Sequence, residues 1–192
     1  SDLLVGRDGS IDWLCLPHFD SGACFAALLG TAEHGRWLIA PARGGLGVRR
    51  RYRQDTLVLE TEHETPDGAV TVTDFMTPRS DSPRVVRIVE GTRGRVAMRM
   101  QLVVRFDYGS IVPWVRRIDG GIRAVGGPDS LWLAAAVPMR GENLTTVADF
   151  TVAEGESVPF VMTWNPSHEA LPPAIDPDAA LSVTEQWWRD WA

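Results

Sequence analysis

The feature that most limits how this chain can fold is a period-2 alternation of side chains, renewed run after run and broken by glycine turns. Side chains one residue apart on a strand point to opposite faces, so each such run marks a strand with one face for a core. Across residues 56–64, Leu57, Leu59 and Thr61 alternate with Val58, Glu60 and Glu62. The turn Pro66-Asp67-Gly68 leads from there into residues 70–75, which predicts a β-hairpin. Residues 84–90 and 95–106 read as the next pair, split by Gly91-Thr92-Arg93-Gly94. In the second run Val96, Met98, Met100 and Leu102 alternate with Ala97, Arg99 and Gln101, predicting one core face. Residues 114–119 and 122–125 flank Gly120-Gly121, residues 131–137 follow, and residues 150–152 and 158–164 flank Gly155-Glu156 as a last hairpin. No helical crossover of ten or so residues separates these runs, so the sheets are predicted antiparallel. About ten to twelve strands need two packed layers. The predicted class is all-β: a large antiparallel β-sandwich, or super-sandwich.

The N-terminal stretch is the richest in chemistry. Asp8-Gly9 is a turn dipeptide, residues 11–16 alternate as a short strand, and Pro17 ends it because proline cannot donate to a ladder. Ile11, Trp13 and Cys15 are predicted on one face, with Asp12, Leu14 and Leu16 on the other. His18-Phe19-Asp20-Ser21 then places an imidazole, an aromatic ring and a carboxylate on four loop residues. Residues 23–29 are good helix formers followed by Gly30, predicting one or two helical turns. Residues 35–40 read as a strand with Trp37 and Ile39 on one face, and residues 41–47 as loop.

At the other end Leu171-Pro172-Pro173 marks a linker, and Asp176-Pro177 reads as an N-cap followed by proline at the first helical position. Ala180, Thr184, Trp187 and Trp191 share a helical face, with Leu181 and Trp188 beside it. Residues 1–170 are thus expected to form the sandwich and 171–192 a linker and the start of a helix leading onward.

Charge excludes some partners. The formal net charge is −6, and every basic residue is Arg, with no Lys. That balance argues against nucleic acid, whose phosphates call for a basic surface. The run Arg49-Arg50-Arg51-Tyr52-Arg53 reads as a solvated or interdomain strand face. No apolar run reaches the roughly 18 residues of a membrane span. The absence of a secretory leader pattern suggests a cytoplasmic protein, with Cys15 and Cys24 reduced and buried. Cys15, Cys24, His18 and His34 match no zinc spacing, so neither metal nor cofactor is expected. Asp8 and Asp67 read as turn formers, and Asp12 and Asp74, mid-strand, as hydrogen-bonded structural carboxylates. Nothing resembles a nucleophile elbow.

Several segments in order carry a resemblance. The stretch from Leu4 through Gly6-Arg7-Asp8-Gly9-Ser10-Ile11-Asp12-Trp13 to Pro17 resembles the N-terminal domain of bacterial glycoside hydrolase family 15, the glucoamylase-like and trehalase-like enzymes. Phe19-Asp20-Ser21, Phe25-Ala26-Ala27-Leu28-Leu29-Gly30, Val72-Thr73-Asp74-Phe75-Met76, Arg105-Phe106-Asp107-Tyr108-Gly109 with Pro113-Trp114, and Trp187-Trp188-Arg189-Asp190-Trp191 extend the likeness along the chain. The resemblance implies a β-sandwich preceding an (α/α)6 barrel that carries the two catalytic glutamates, so no catalytic residue is expected here. Asp12, Trp13, His18, Phe19 and Asp20 become candidates for the rim of that barrel's active site, which would take trehalose or an α-glucan. Trp187, Trp188, Arg189 and Trp191 become candidates for the interdomain contact. His18 stands where family members usually have Arg, and Ser21-Gly22 where Ser-Pro is common. Two other readings remain: a stand-alone carbohydrate-binding module, with Trp13, Trp37 and Trp114 stacking on sugars, and a protein-interaction domain.

Overall fold

The computed structural model describes residues 3–78 and 80–192. Its axis is one strand, β8 (Arg84–Val103), 20 residues long and shared by two sheets. Around its first half run β5 (Gly47–Tyr52), β6 (Leu59–Thr65) and β7 (Gly68–Met76) on one side. On the other side follow β14 (Ser157–Pro166), β11 (Asp129–Ala135), β10 (Gly121–Gly126) and β9 (Trp114–Ile118). Its second half pairs with β4 (Arg36–Pro41) and β13 (Thr145–Ala153). Beyond β4 lie β2 (Ser10–Cys15), β1 (Leu3–Val5) and β3 (Ala23–Phe25), and beyond β13 lies β12 (Arg140–Glu142). Every pairing between these strands is antiparallel, and the all-β sandwich is what the alternation predicted.

Two hairpins form differently from the sequence reading. Gly91 to Gly94 do not turn the chain back; β8 continues through them, with a register shift where it pairs Ala69 and Val70 of β7. These glycines serve close approach instead. A Cβ on Gly91 would lie 2.0 Å from the Ala153 carbonyl oxygen, and Gly94, at φ +63°, lies against Asp67. Likewise β13 and β14 do not pair with each other across Gly155; each pairs with a different half of β8, so the chain changes sheets there. Residues 23–29 are not a helix throughout. Ala23–Phe25 pair with β2, and only Ala27–Leu29 form a 3₁₀ turn.

The space between the sheets is filled by alternating apolar side chains, including Ile11, Trp37, Met98 and Met100 from one and Val70, Val72, Leu133 and Phe160 from the other. Among them lies a charged pair. Arg87 on β8 has no exposed surface, and its Nε and Nη2 donate to the two carboxylate oxygens of Asp74 at 2.7 and 3.2 Å. The remaining guanidinium donors cross to the facing sheet: Nη1 to the Trp37 carbonyl and Nη2 to the Gly9 carbonyl, both at 2.7 Å. The guanidinium also sits 5.2 Å from the Trp37 ring centre. Gly9 has φ +87°, and a Cβ there would meet the Ile39 carbonyl oxygen at 2.3 Å, so this turn accepts only glycine without distortion.

The outer face of the β7–β8–β14 region is also apolar, and Val58, Phe75, Val86, Ile88 and Val161 are covered there by Ile175, Ala180 and Leu181. The last two belong to α1 (Pro177–Trp191), capped by Asp176, whose side chain accepts from the Asp178 and Ala179 amides. The segment leading to α1 is held down: Asn165 Nδ2 donates to the Ala170 carbonyl, and Arg123 Nη2 to those of Ser167 and Glu169.

Removing one partner of the Arg87–Asp74 pair leaves a buried charge uncompensated, so Arg87→Met or Asp74→Asn should cost about 3–5 kcal/mol in urea unfolding. The Arg87→Met/Asp74→Leu double variant should be more stable than Arg87→Met alone, because it removes the stranded carboxylate. A double variant no better than the single one counts against this account. His63, buried beside Gly9 with Nε2 unpartnered, is pushed below the ordinary 6.5 by burial and then by the charge of Arg87. The unfolded chain therefore binds the proton more readily. Stability is full above the unfolded value and falls as pH drops below it. Between about pH 7 and pH 5 the thermal midpoint of the wild type should fall more steeply than that of His63→Leu, measured by circular dichroism.

Candidate functional site

The opening turn and β2 determine where the predicted rim residues lie. The Asp8 carboxylate accepts from the Ser10 amide at 3.1 Å, and Asp12 accepts from the Ser10 hydroxyl at 2.5 Å. Opposite β2, Leu4 pairs with Trp13 but Val5 with Ile11, which leaves Asp12 as the extra residue of a bulge. The bulge changes the facing expected from simple alternation. Ile11, Leu14 and Leu16 all point into the main core, while Trp13 packs with Cys15, Ala23 and Ala26 on the other side. Asp12 thus belongs to the turn, as a hydrogen-bonded carboxylate, and is not brought to the aromatic cluster.

After β2 the chain forms an exposed loop. The Ser21 hydroxyl accepts from the His18 amide at 3.1 Å, and the Ser21 amide donates to the His18 carbonyl at 3.3 Å. This short closure presents the side chains of His18, Phe19 and Asp20 outward, with Phe19 69% exposed.

A second segment, which the sequence reading did not assign to the site, meets this loop. Asp107 and Tyr108 both have positive φ, at 50° and 56°. Non-glycine residues held left-handed cluster at functional sites, because surrounding contacts must hold the strain. The Asp107 carboxylate and carbonyl both accept from the Ser110 hydroxyl. Tyr108 packs on Trp13 with ring centres 6.0 Å apart, and Gly22 lies against Asp107. The available signal was the Asp-Tyr-Gly sequence itself, a turn-forming Asp and a glycine placed just beyond a strand. Trp13, Tyr108, Phe19, Asp20 and Asp107 thus share one end of the sandwich. Aromatic faces with carboxylates suit the apolar faces and hydroxyl groups of a neutral sugar.

The predicted tryptophans divide. Trp37 is wholly buried under Arg87 and cannot stack on a ligand, whereas Trp114 is 81% exposed. On α1 the buried stripe is rotated from the predicted one: Thr184 is buried, Trp188 half-buried, and Trp187 and Trp191 exposed, the last at 74%. Trp188 stands edge-on between the other two, with ring centres 4.7 and 5.8 Å away. Arg189 donates to Glu185 at 2.9 Å, and Glu185 accepts from Arg53 at 2.5 Å, so the helix is tied to the basic run by an ion-pair chain that also includes Glu60. The hydrogen bond from Arg53 holds Glu185 below the ordinary carboxylate range. Such an environment suits a structural carboxylate, not a proton donor.

Cys15 and Cys24 are both buried; burial, then the neighbouring Cys15, pushes the Cys24 thiol up, and its Sγ donates to the Leu14 carbonyl. Among the described residues no group of three or more His, Cys, Asp or Glu side chains is placed to hold a metal ion. Among the described residues no helix is long and apolar enough to cross a membrane.

The loop geometry predicts a separation of roles. His18→Ala, Phe19→Ala and Asp20→Ala should each shift unfolding free energy by no more than about 0.5 kcal/mol, because exposed truncations remove few contacts. Trp13→Ala should cost about 2 kcal/mol through its packing on Cys15 and Tyr108. Denaturant titration of the four variants checks both, and a large loss from Phe19→Ala counts against an outward-facing loop.

Comparison with known proteins gives a consistent result. The family model described as "Trehalase-like, N-terminal" matches residues 1–170. The trehalase of Thermoplasma acidophilum is 27% identical over 198 residues, covering 99% of this chain and 34% of that protein. Those of Mycolicibacterium smegmatis and Mycobacterium tuberculosis are each 26% identical over 217 residues, covering 98% of this chain and 32% and 31% of their own lengths. The chain therefore spans about a third of the length of these relatives.

Proposed function

The chain belongs to the trehalase-like N-terminal domain family, and on that premise we propose that it is the non-catalytic N-terminal domain of a trehalase-like glycoside hydrolase of family 15. In this reading residues 1–170 form the sandwich, and residues 171–192 lead to an (α/α)6 barrel that carries the acid and base. Hydrolysis with inversion needs two carboxyl groups about 6.5–9.5 Å apart, one protonated, around a water. Glu60, Asp149 and Glu185 are each held below the ordinary carboxylate range by arginine partners, in Glu60 against the opposing effect of burial, and serve in this reading as structural ion pairs while the acid and base lie in the barrel.

The observation that carries the reading is the outward display of His18, Phe19 and Asp20 beside the Trp13–Tyr108 pair. Phe19 and Asp20 would reach the rim of the barrel's active site, narrow its entrance and contact an outer hydroxyl of trehalose or an α-glucan. Exposed Trp187 and Trp191 would pack against the barrel, with α1 fixed to the sandwich through Arg53 and Glu185. No metal or cofactor enters this scheme, and the parent enzyme would work in the cytoplasm. One observation favours a second reading, an autonomous carbohydrate-binding module: Trp114 is exposed and free to stack on a sugar ring.

The purified 192-residue chain should release no glucose from trehalose or maltose and should bind neither at millimolar concentration by titration calorimetry. In the complete protein, Phe19→Ala or Asp20→Ala should lower kcat/KM about tenfold with an unchanged unfolding midpoint, as expected when a positioning contact is lost. Glucose release by the isolated chain would overturn the proposal, and millimolar sugar binding abolished by Trp114→Ala would replace it with the module.

A further inference from the structure

The outer face of the β4–β8–β13 layer carries a concentration of arginine that the rim proposal does not use. Two adjoining clefts, of about 500 and 620 Å³, share Arg105 and the turn between β12 and β13. Arg36, Arg99, Arg105, Arg116, Arg117 and Arg140 line one or both, against the acidic groups Glu33 and Glu142, in a chain whose net charge is −6.

These arginines are not equivalent. Arg99 and Arg140 are both satisfied by Glu142 and Asp149 at 2.7–3.2 Å, and Arg117 donates to the Met139 carbonyl. Arg36 and Arg105 make no ion pair among the described residues. Arg105 is only 9% exposed, yet its side chain has one protein acceptor, the Val104 carbonyl at 2.7 Å. Burial lowers its pKa, with Glu33 the opposing charge. Arg36 donates through Nη2 to Gln101, but its Nε is buried with no partner. A buried guanidinium donor left without an acceptor is costly, so Arg36 Nε in that state, beside an Arg105 that holds a single protein acceptor, marks the cleft as a place for an anion.

We propose that the cleft between Arg36 and Arg105 binds a small organic carboxylate. The donor set selects that class. Phosphate sites are typically built from backbone amides at helix N-termini or turn nests, whereas the amides of β4, β8 and β13 are committed to sheet ladders. What remains are planar forks, which hold a carboxylate or a phosphate bidentately, and the apolar lining beside them favours the carboxylate of an organic acid. Val103, Val147 and Leu144 form apolar walls suited to a carbon skeleton, and the cleft has the size of a small-molecule site. A neutral disaccharide has no use for two guanidinium groups that are outside any ion pair, which separates this face from the rim.

The test uses the 192-residue chain with succinate as probe, followed by titration calorimetry and thermal unfolding at constant ionic strength. Succinate should bind at millimolar or lower concentration and raise the midpoint, while sodium chloride of equal ionic strength should not. Arg105→Gln and Arg36→Gln should each weaken binding about tenfold or more, the loss expected for a charged hydrogen bond. Arg36 is half-buried, so its variant gives a reading even if Arg105→Gln fails to fold. Absence of succinate binding, or equal binding by the Arg36→Gln variant, overturns the site. Arginine-dependent binding of inorganic phosphate or sulfate in preference to succinate overturns the carboxylate assignment. None of these outcomes depends on whether the parent hydrolyses trehalose.

Discussion

The fold depends on the donors of a single guanidinium. Arg87 lies on the inner face of β8, takes both oxygens of Asp74 on the neighbouring strand, and spends its other donors on the carbonyls of Trp37 and Gly9 across the core. A sandwich held by apolar burial alone permits its sheets to slide, because burial has no direction. Hydrogen bonds from one planar cation to three separate chain segments remove that freedom. The opening turn, β4, β7 and β8 are thereby set in one relation, and everything attached to them inherits it.

The rim candidates are downstream of that relation. Gly9 sits in the turn that leads into β2, the bulge at Asp12 decides which of its residues face inward, and the loop after Cys15 emerges where β2 ends. Tyr108, held left-handed next to Gly109, completes the aromatic corner against Trp13. At the C-terminal end of the described residues α1 covers an apolar outer face and is held by Glu185 to Arg53. The basic run, read from the sequence as a solvated or interdomain strand face, therefore serves in part as the anchor of that helix.

Much of the architecture was legible beforehand. Period-2 alternation with Asp-Gly and Gly-Gly turns identified most strands, and the Asp176-Pro177 cap located the helix, because these signals are local. Glycines at 91 and 94 were misread for the same reason. A glycine that turns the chain and a glycine that lets another backbone approach look alike until the neighbour, here Ala153 or Asp67, is in place. Of the site, the loop carrying His18, Phe19 and Asp20 was visible as a dense cluster, and Asp74 as a structural carboxylate. Tyr108 was missed because its partner, Trp13, lies far away along the chain. Asp12 joined Trp13 among the rim candidates through the resemblance, and Ile11 was placed on the Trp13 face because alternation alone does not reveal a bulge.

By itself the sequence determined the all-β class, the antiparallel arrangement, the capped helix and the relationship to trehalase-like N-terminal domains, all of which follow from local pattern or from residues read in order. Only the tertiary structure decided that β8 serves both sheets, that Arg87 joins four segments, and that Arg36 and Arg105 line one cleft with neither in an ion pair among the described residues. The physical reason is that these facts concern which unpaired donors and close-packed backbones meet, and such meetings are set by register and sheet crossing between residues distant along the chain.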